Sequence, residues 1–135
     1  AILRSCVATA VHGVILPSRK AVGVTPAAMR ASAGLANRIS VIRVNNVARS
    51  IDALRENGFW ITGAATRGGS PPWEIDLKGR VGIVLGSEAK GIRRLVAEKC
   101  DHHATVPLLH GVESLNVSAA AAMLLYEIRR QRSTS

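Results

Sequence analysis

The chain has 135 residues, and its 18 Lys and Arg against 9 Asp and Glu give a formal charge of +9. That is enough length for one domain with its own core, and the charge favours an anionic partner, most commonly nucleic acid. Two cysteines exclude a disulfide framework, no signal-peptide pattern opens the chain, and the longest apolar run, Val117 to Leu125, is too short to cross a bilayer. A membrane partner is therefore not expected, and a reducing, cytoplasmic setting is. Apolar residues make up 47% and aromatics only 3%, so the core must be built from Ala, Val, Ile and Leu. This suits helices on a buried parallel sheet.

An apolar helix is expected over Ala1 to Ala10. It starts with neither Met nor a capping residue, so the amino end of the domain is expected to lie upstream. A short β-branched strand, Gly13 to Leu16, is closed by Pro17. Thr25-Pro26 reads as an N-cap with Pro at the first helical position, and Gly34 as its terminator. A strand over Ile39 to Val44 follows. Asn46 caps a helix with Val47, Ile51 and Leu54 on one face, ended by Gly58.

Phe59 to Ala64 is the third strand, with its aromatics Phe59 and Trp60 expected in the core, and Arg67-Gly68-Gly69-Ser70-Pro71-Pro72 is the chain's one Gly/Pro-rich loop. Val81 to Leu85 is a strongly apolar fourth strand. The next helix is expected to bury Ile92, Leu95 and Val96. Ala104 to Pro107 reads as a short fifth strand, and Ser114 or Asn116 caps a long last helix ending at Arg129-Arg130-Gln131-Arg132. Strand-helix alternation of this kind predicts a single α/β domain over 1–135 with a mainly parallel sheet flanked by helices.

Two corners attract notice: Leu85-Gly86-Ser87-Glu88 through Gly91, and Ser114-Leu115-Asn116-Val117-Ser118. Each passes from apolar residues into small and polar ones and then into a helix, at the carboxyl side of a strand, where open α/β sheets bind ligands. Residue by residue, structural readings compete. Glu88 suits a helix amino end, and Ser114 and Asn116 suit caps. The first corner lacks the Lys-Ser/Thr ending of a phosphate loop, and no Gly-x-Gly-x-x-Gly follows a strand, so nucleotide fingerprints are missing. Cys100-Asp101-His102-His103 offers adjacent ligands with no second Cys/His pair, so no metal is expected.

Together, Ile2-Leu3-Arg4, Val11 to Pro17, Leu85 to Glu88, Gly91 with Arg93-Arg94-Leu95-Val96, Val106-Pro107-Leu108, Ser114 to Ser118, and Leu125-Tyr126-Glu127 with Arg130-Gln131-Arg132 occur in order. This combination resembles the SpoU (TrmH) family of the SPOUT superfamily, the RNA ribose 2′-O-methyltransferases. It looks closest to the branch that methylates a guanosine ribose of large-subunit ribosomal RNA. Transfer RNA as the substrate, or a knotted RNA-binding module without catalysis, are the alternatives. Calorimetry with S-adenosylmethionine, ATP and NAD separates the resemblance from an unrelated nucleotide-binding protein.

The resemblance implies a carboxyl-terminal deep trefoil knot, a homodimer, and S-adenosylmethionine bound by Thr62, Gly63, Ala64, Leu85, Gly86, Val106, Leu108, Ser114 and Leu115. It implies Arg4 as the catalytic arginine, with Glu88, Ser114 and Asn116 shaping the site. The family's first strand, its motif Asn and any separate RNA-binding domain would precede Ala1. RNA phosphates are expected to meet Arg19, Lys20, Arg30, Arg93, Arg94 and Arg132, with Arg43 and Arg67 as further contacts. Methyl transfer to a hydroxyl is an in-line displacement, so orientation can supply roughly 7–11 kcal/mol of the barrier. A guanidinium is a poor proton acceptor; Arg4 is therefore expected to hold a phosphate and steady the developing alkoxide.

Overall fold

The computed structural model describes residues 2–18, 39–87, 90–112 and 114–133. The helix expected between Thr25 and Gly34 falls outside them. The described elements are α1 (Ile2–Ala8), β1 (Gly13–Pro17), β2 (Ser40–Val44), α2 (Val47–Glu56), β3 (Trp60–Ala64), a 3-10 turn (Pro72–Glu74), β4 (Val81–Val84), α3 (Arg94–Lys99), β5 (His102–Ala104) and α4 (Val117–Ser133). The described strands form two parallel sheets, β1-β2 and β4-β3-β5. The α/β class and the parallel pairing agree with the sequence pattern.

Local chemistry accounts for the element ends. The Asn46 side chain accepts the Arg49 N–H at 3.1 Å, opening α2, and Gly58 at φ +86° ends it with its N–H on the Arg55 carbonyl. At the end of α1, Ala10 takes φ 62° and the Val11 N–H reaches back to the Cys6 carbonyl. The helix therefore stops at Ala8 rather than Ala10. Leu3 and Cys6, three apart, are buried as α1 packs on α4, while Arg4 stays exposed.

β3 is the pivot of the larger sheet. Successive side chains alternate faces, so Thr62 and Ala64 point one way and Ile61 and Gly63 the other. On the first side, Ala64, Val81 and Ile83 pack against Ile75, Leu77, Ala104 and Leu124 beneath α4. On the other, α2 packs against both α3 and β3 and also reaches β1, so it bridges the two sheets. Two ion pairs fasten that layer: Lys99 to Asp52 and Arg55 to Asp101, each at 3.0 Å.

Three expectations change. The fifth strand is His102–Ala104, not Ala104 to Pro107. Asp101 exchanges two bonds with Ile61: its N–H donates to the Ile61 carbonyl at 2.7 Å and its carboxylate accepts the Ile61 N–H at 2.8 Å. These start the ladder earlier. Ile92 and Val96 are only half-buried and Leu95 is 60% exposed, because α3 begins at Arg94 and is too short to bury a full stripe. Trp60, expected in the core from its strand position, is 58% exposed and stacks on His102 at 6.0 Å.

Gln131, buried in α4, locks the segment after the 3-10 turn. Its Oε1 accepts the Leu77 N–H at 2.8 Å, and its Nε2 donates to the Ile75 carbonyl at 3.0 Å and to Glu127 at 2.8 Å. Glu127 is held ionised below the usual carboxylate range by Arg130, which outweighs burial, with Gln131 assisting. Gln131→Leu leaves a buried donor and acceptor unpaired. It is expected to lower stability by about 2–3 kcal/mol in urea unfolding; an unchanged midpoint would remove the lock.

Candidate functional site

The carboxyl ends of β3, β4 and β5 open into a cleft of about 610 Å³. Ala64 and Ala65 come from β3 and its exit, Leu85, Gly86 and Ser87 from the exit of β4, and His103, Ala104, Val106 and Leu108 from β5 and beyond. Ser114, Leu115, Asn116 and Val117 enter α4, whose Ala120 and Leu124 extend the wall. Both corners singled out in the sequence therefore face one space.

Backbone bonds build the cleft. The turn after β4 is closed by Ser87 and Gly91, which exchange N–H to carbonyl bonds at 3.2 and 2.8 Å, and the Ser87 hydroxyl accepts the Lys90 N–H at 3.1 Å. Gly91 has φ +67°, and a Cβ on Gly86 would lie 2.2 Å from the Gly91 carbonyl carbon. Only a residue without a side chain fits at 86. On the far side the Asn116 carboxamide accepts the Ser118 N–H at 2.8 Å, capping α4. Asn116 is thus a cap that also lines the cleft.

The loop after β3 is strapped onto β5. Ala65 N–H donates to the Ala104 carbonyl at 2.8 Å, Ser70 N–H to the His103 carbonyl at 2.8 Å, and Gly69 N–H to the Thr105 hydroxyl at 2.9 Å. A Cβ on Gly69 would lie 2.6 Å from the His103 carbonyl oxygen, so this approach too needs glycine.

Of the residues expected to bind cofactor, Ala64, Leu85, Gly86, Val106, Leu108, Ser114 and Leu115 line the cleft, whereas Thr62 and Gly63 do not. Thr62 is 1% exposed and its hydroxyl has no hydrogen-bond partner among the described residues. Gly63 makes room for neighbours: a Cβ there would sit 3.0 Å from Cys100 Sγ and 3.1 Å from Ile92. Among the catalytic expectations, Ser114 and Asn116 line the cleft, Arg4 does not, and Glu88 lies outside the described residues.

Arg19, Lys20 and Arg30 lie outside the described residues too. Arg93 is exposed ahead of α3, and Arg94 pairs with Glu98 at 2.9 Å on the surface, a contact weak enough to exchange for another anion. Arg132 donates to the Gly79 carbonyl, which makes it an internal fastener. Two ionisable lining residues were not expected in the cleft: Arg67, expected only as a phosphate contact, and His103, which belongs to the Cys100–His103 run from which no metal is expected. A strand end followed by a glycine loop was the available signal for Arg67; a three-residue strand offered none for His103. Burial, with Asp101 beside it, raises the Cys100 thiol and keeps it protonated, so it supplies no nucleophile behind this wall.

These features define a class: a parallel α/β domain with a ligand cleft at its strand ends, closed by two glycine-dependent turns. The chain belongs to the SpoU rRNA methylase family, whose model matches residues 1–126. It is 49% identical over 132 residues to the 23S rRNA (guanosine-2'-O-)-methyltransferase RlmB of Coxiella burnetii, covering 98% of this chain and 53% of that protein. Among solved structures, the SpoU methyltransferase AviRb from Streptomyces viridochromogenes, in complex with AdoMet, matches with TM-score 0.88 and 27% identity. That match covers 99% of this chain and 55% of AviRb. The A. aeolicus TrmH/SpoU tRNA modifying enzyme matches with TM-score 0.87 and 25% identity, over 98% of this chain and 68% of that one. The chain spans about half the length of the curated relatives it matches.

Removing the partnerless hydroxyl by Thr62→Val keeps the shape and lifts a desolvation cost. The variant is expected to unfold at higher urea, by about 1 kcal/mol. A lower midpoint would mean that the hydroxyl is bonded after all.

Proposed function

We propose that this domain transfers a methyl group from S-adenosylmethionine to a ribose 2′-hydroxyl of structured RNA, with a guanosine of 23S ribosomal RNA as the target. One observation carries the reading: in a SpoU-family chain, Leu85 to Ser87, Val106, Leu108 and Ser114 to Val117 converge on a single cleft. The reaction named for the Coxiella burnetii relative supports the target, and the cofactor held by AviRb supports the methyl donor.

The residues fit such a ligand. About 610 Å³ lies within the range of small-molecule sites, roughly 300–1,000 Å³. Leu85, Val106, Leu108 and Leu115 offer apolar walls to a flat base. Gly86 permits close approach of the backbone, and Ser114 and Asn116 supply polar groups at the rim. The bound cofactor supplies an activated methyl on sulfonium; the protein's task is alignment and stabilisation of the oxygen that loses its proton. Arg4, exposed on a helix that packs against α4, is assigned to the phosphate beside the target ribose. Glu88 is assigned to positioning.

The same reading includes a knotted carboxyl-terminal segment. Its support is the chain's membership of the SpoU family, for which the resemblance implies such a knot. It also includes a homodimer, supported by Met123 and Tyr126 of α4, 48% and 66% exposed, and a cytoplasmic setting, where ribosomal RNA is made and modified. No helix among the described residues is long and apolar enough to cross a membrane.

Incubation of the protein with labelled S-adenosylmethionine and total ribosomal and transfer RNA, followed by mapping of ribose-methylated positions, tests the proposal. Label in a 23S guanosine is expected; label confined to transfer RNA would replace the target, and no label with no cofactor binding would end the reading. Arg4→Ala should lower turnover by about 100-fold or more while changing cofactor affinity by less than about twofold. Equal losses in both would refute its assignment.

A further inference from the structure

We infer that Arg67 and His103 together form an anion-binding subsite on the wall of the cleft, taking either the cofactor carboxylate or an RNA phosphate. The inference rests on the methyltransferase reading and deepens it. Both residues line the cleft and are exposed, and neither side chain has a hydrogen bond or ion pair among the described residues. The described lining contains no Asp or Glu, so its ionisable members are these two donors.

The backbone holds them as neighbours. Arg67 sits in a loop whose flanks, Ala65, Gly69 and Ser70, are bonded to residues 103–105 of the strand that carries His103. Gly68, at φ +86°, turns the loop beside Arg67, and Gly69 lies so close to the His103 carbonyl that no side chain fits. The backbone of His103 is held by its ladder partner Gly63, and its Nδ1 lies over that glycine, 3.4 Å from where a Cβ would stand. A forked guanidinium and an imidazole carried on adjacent, mutually bonded backbone, with no carboxylate among the described lining residues, suit a planar or tetrahedral oxyanion. The nearby charged groups are committed elsewhere. Asp101 pairs with Arg55, His102 stacks on Trp60, and Cys100 stays protonated.

Calorimetry on the whole chain tests this, comparing the parent protein with Arg67→Gln, His103→Gln and the double variant. The probes are S-adenosylmethionine, 5′-methylthioadenosine (which lacks the amino-acid tail) and a 23S ribosomal RNA fragment. If the anion is the carboxylate, each single variant loses about tenfold in affinity for S-adenosylmethionine and keeps its affinity for methylthioadenosine. If it is a phosphate, both small-ligand affinities hold, and the salt dependence of RNA binding falls by about one unit of slope. Unchanged S-adenosylmethionine affinity together with an unchanged RNA salt slope overturns the subsite. So does an equal loss for S-adenosylmethionine and methylthioadenosine, which marks a general disturbance of the cleft. A parent protein that binds no S-adenosylmethionine overturns the methyltransferase reading itself, a different outcome from either.

Discussion

The short strand β5 is bonded along both of its edges, and the rest of the site depends on that. On one side it pairs in register with β3, from Thr62 opposite His102 to Ala64 opposite Ala104; on the other, Ser70 bonds to the backbone at His103 and Thr105. Three residues would be a poor strand alone, since ladder bonds must offset the entropy of ordering the chain. Inserted between two partners and started by the Asp101–Ile61 exchange, it has no free edge along that stretch. Everything downstream, from Val106 through the entry of α4, leaves from this fixed point and is delivered to the mouth of the sheet.

Close backbone approach is the second constraint, and it explains why glycine recurs where it does. At Gly86 and Gly69 the neighbouring main chain lies within 2.6 Å of where a Cβ would stand. At Gly86 the contact brings peptide groups, rather than a side chain, to the wall of the cleft. A peptide wall is rigid and carries N–H and C=O groups at fixed positions, which favours binding a small polar ligand in one orientation. The polar residues that sequence reasoning weighed as either caps or site residues need not choose. Asn116 caps α4, its carboxamide accepting the Ser118 N–H and its carbonyl the Ala120 N–H, and still lines the cleft.

Most of the architecture was legible because it rests on periodicity and punctuation. Asn46 before Val47 and Ile51, Gly58 after them, and the β-branched runs at Gly13 to Pro17 and Val81 to Val84 all state their conformations locally. The two corners were legible because small residues after apolar strands have few purely structural explanations. What the sequence hid is tertiary. Polar His102 and His103 do not look like a strand, because β5 is stabilised by partners more than 30 residues away. Trp60 looked like core by its place in β3, yet it is exposed and its ring stacks on His102, a partner 42 residues away. Thr62 and Gly63 looked like ligand contacts, yet they lie one step too early along β3: the first is buried beneath the sheet's α4 face and the second is filled over by Ile92 and Cys100.

Charge within the cleft follows from the same geometry and bears on the chemistry the domain can perform. Among the described lining residues no carboxylate is present, and the neighbouring thiol is held protonated by burial. A carboxylate base is therefore not among the described residues of this wall. On the proposed reading it need not be, since the methyl donor carries its own driving force. Alignment of oxygen, carbon and sulfur, together with a positive environment for the oxygen as it becomes an alkoxide, accounts for the rate. A wall carrying Arg67 and His103, with no described acid beside them, would fix the anionic parts of the reactants, while Leu85, Val106, Leu108 and Leu115 keep much of the remaining space apolar. Electrostatic stabilisation is most effective in such a space.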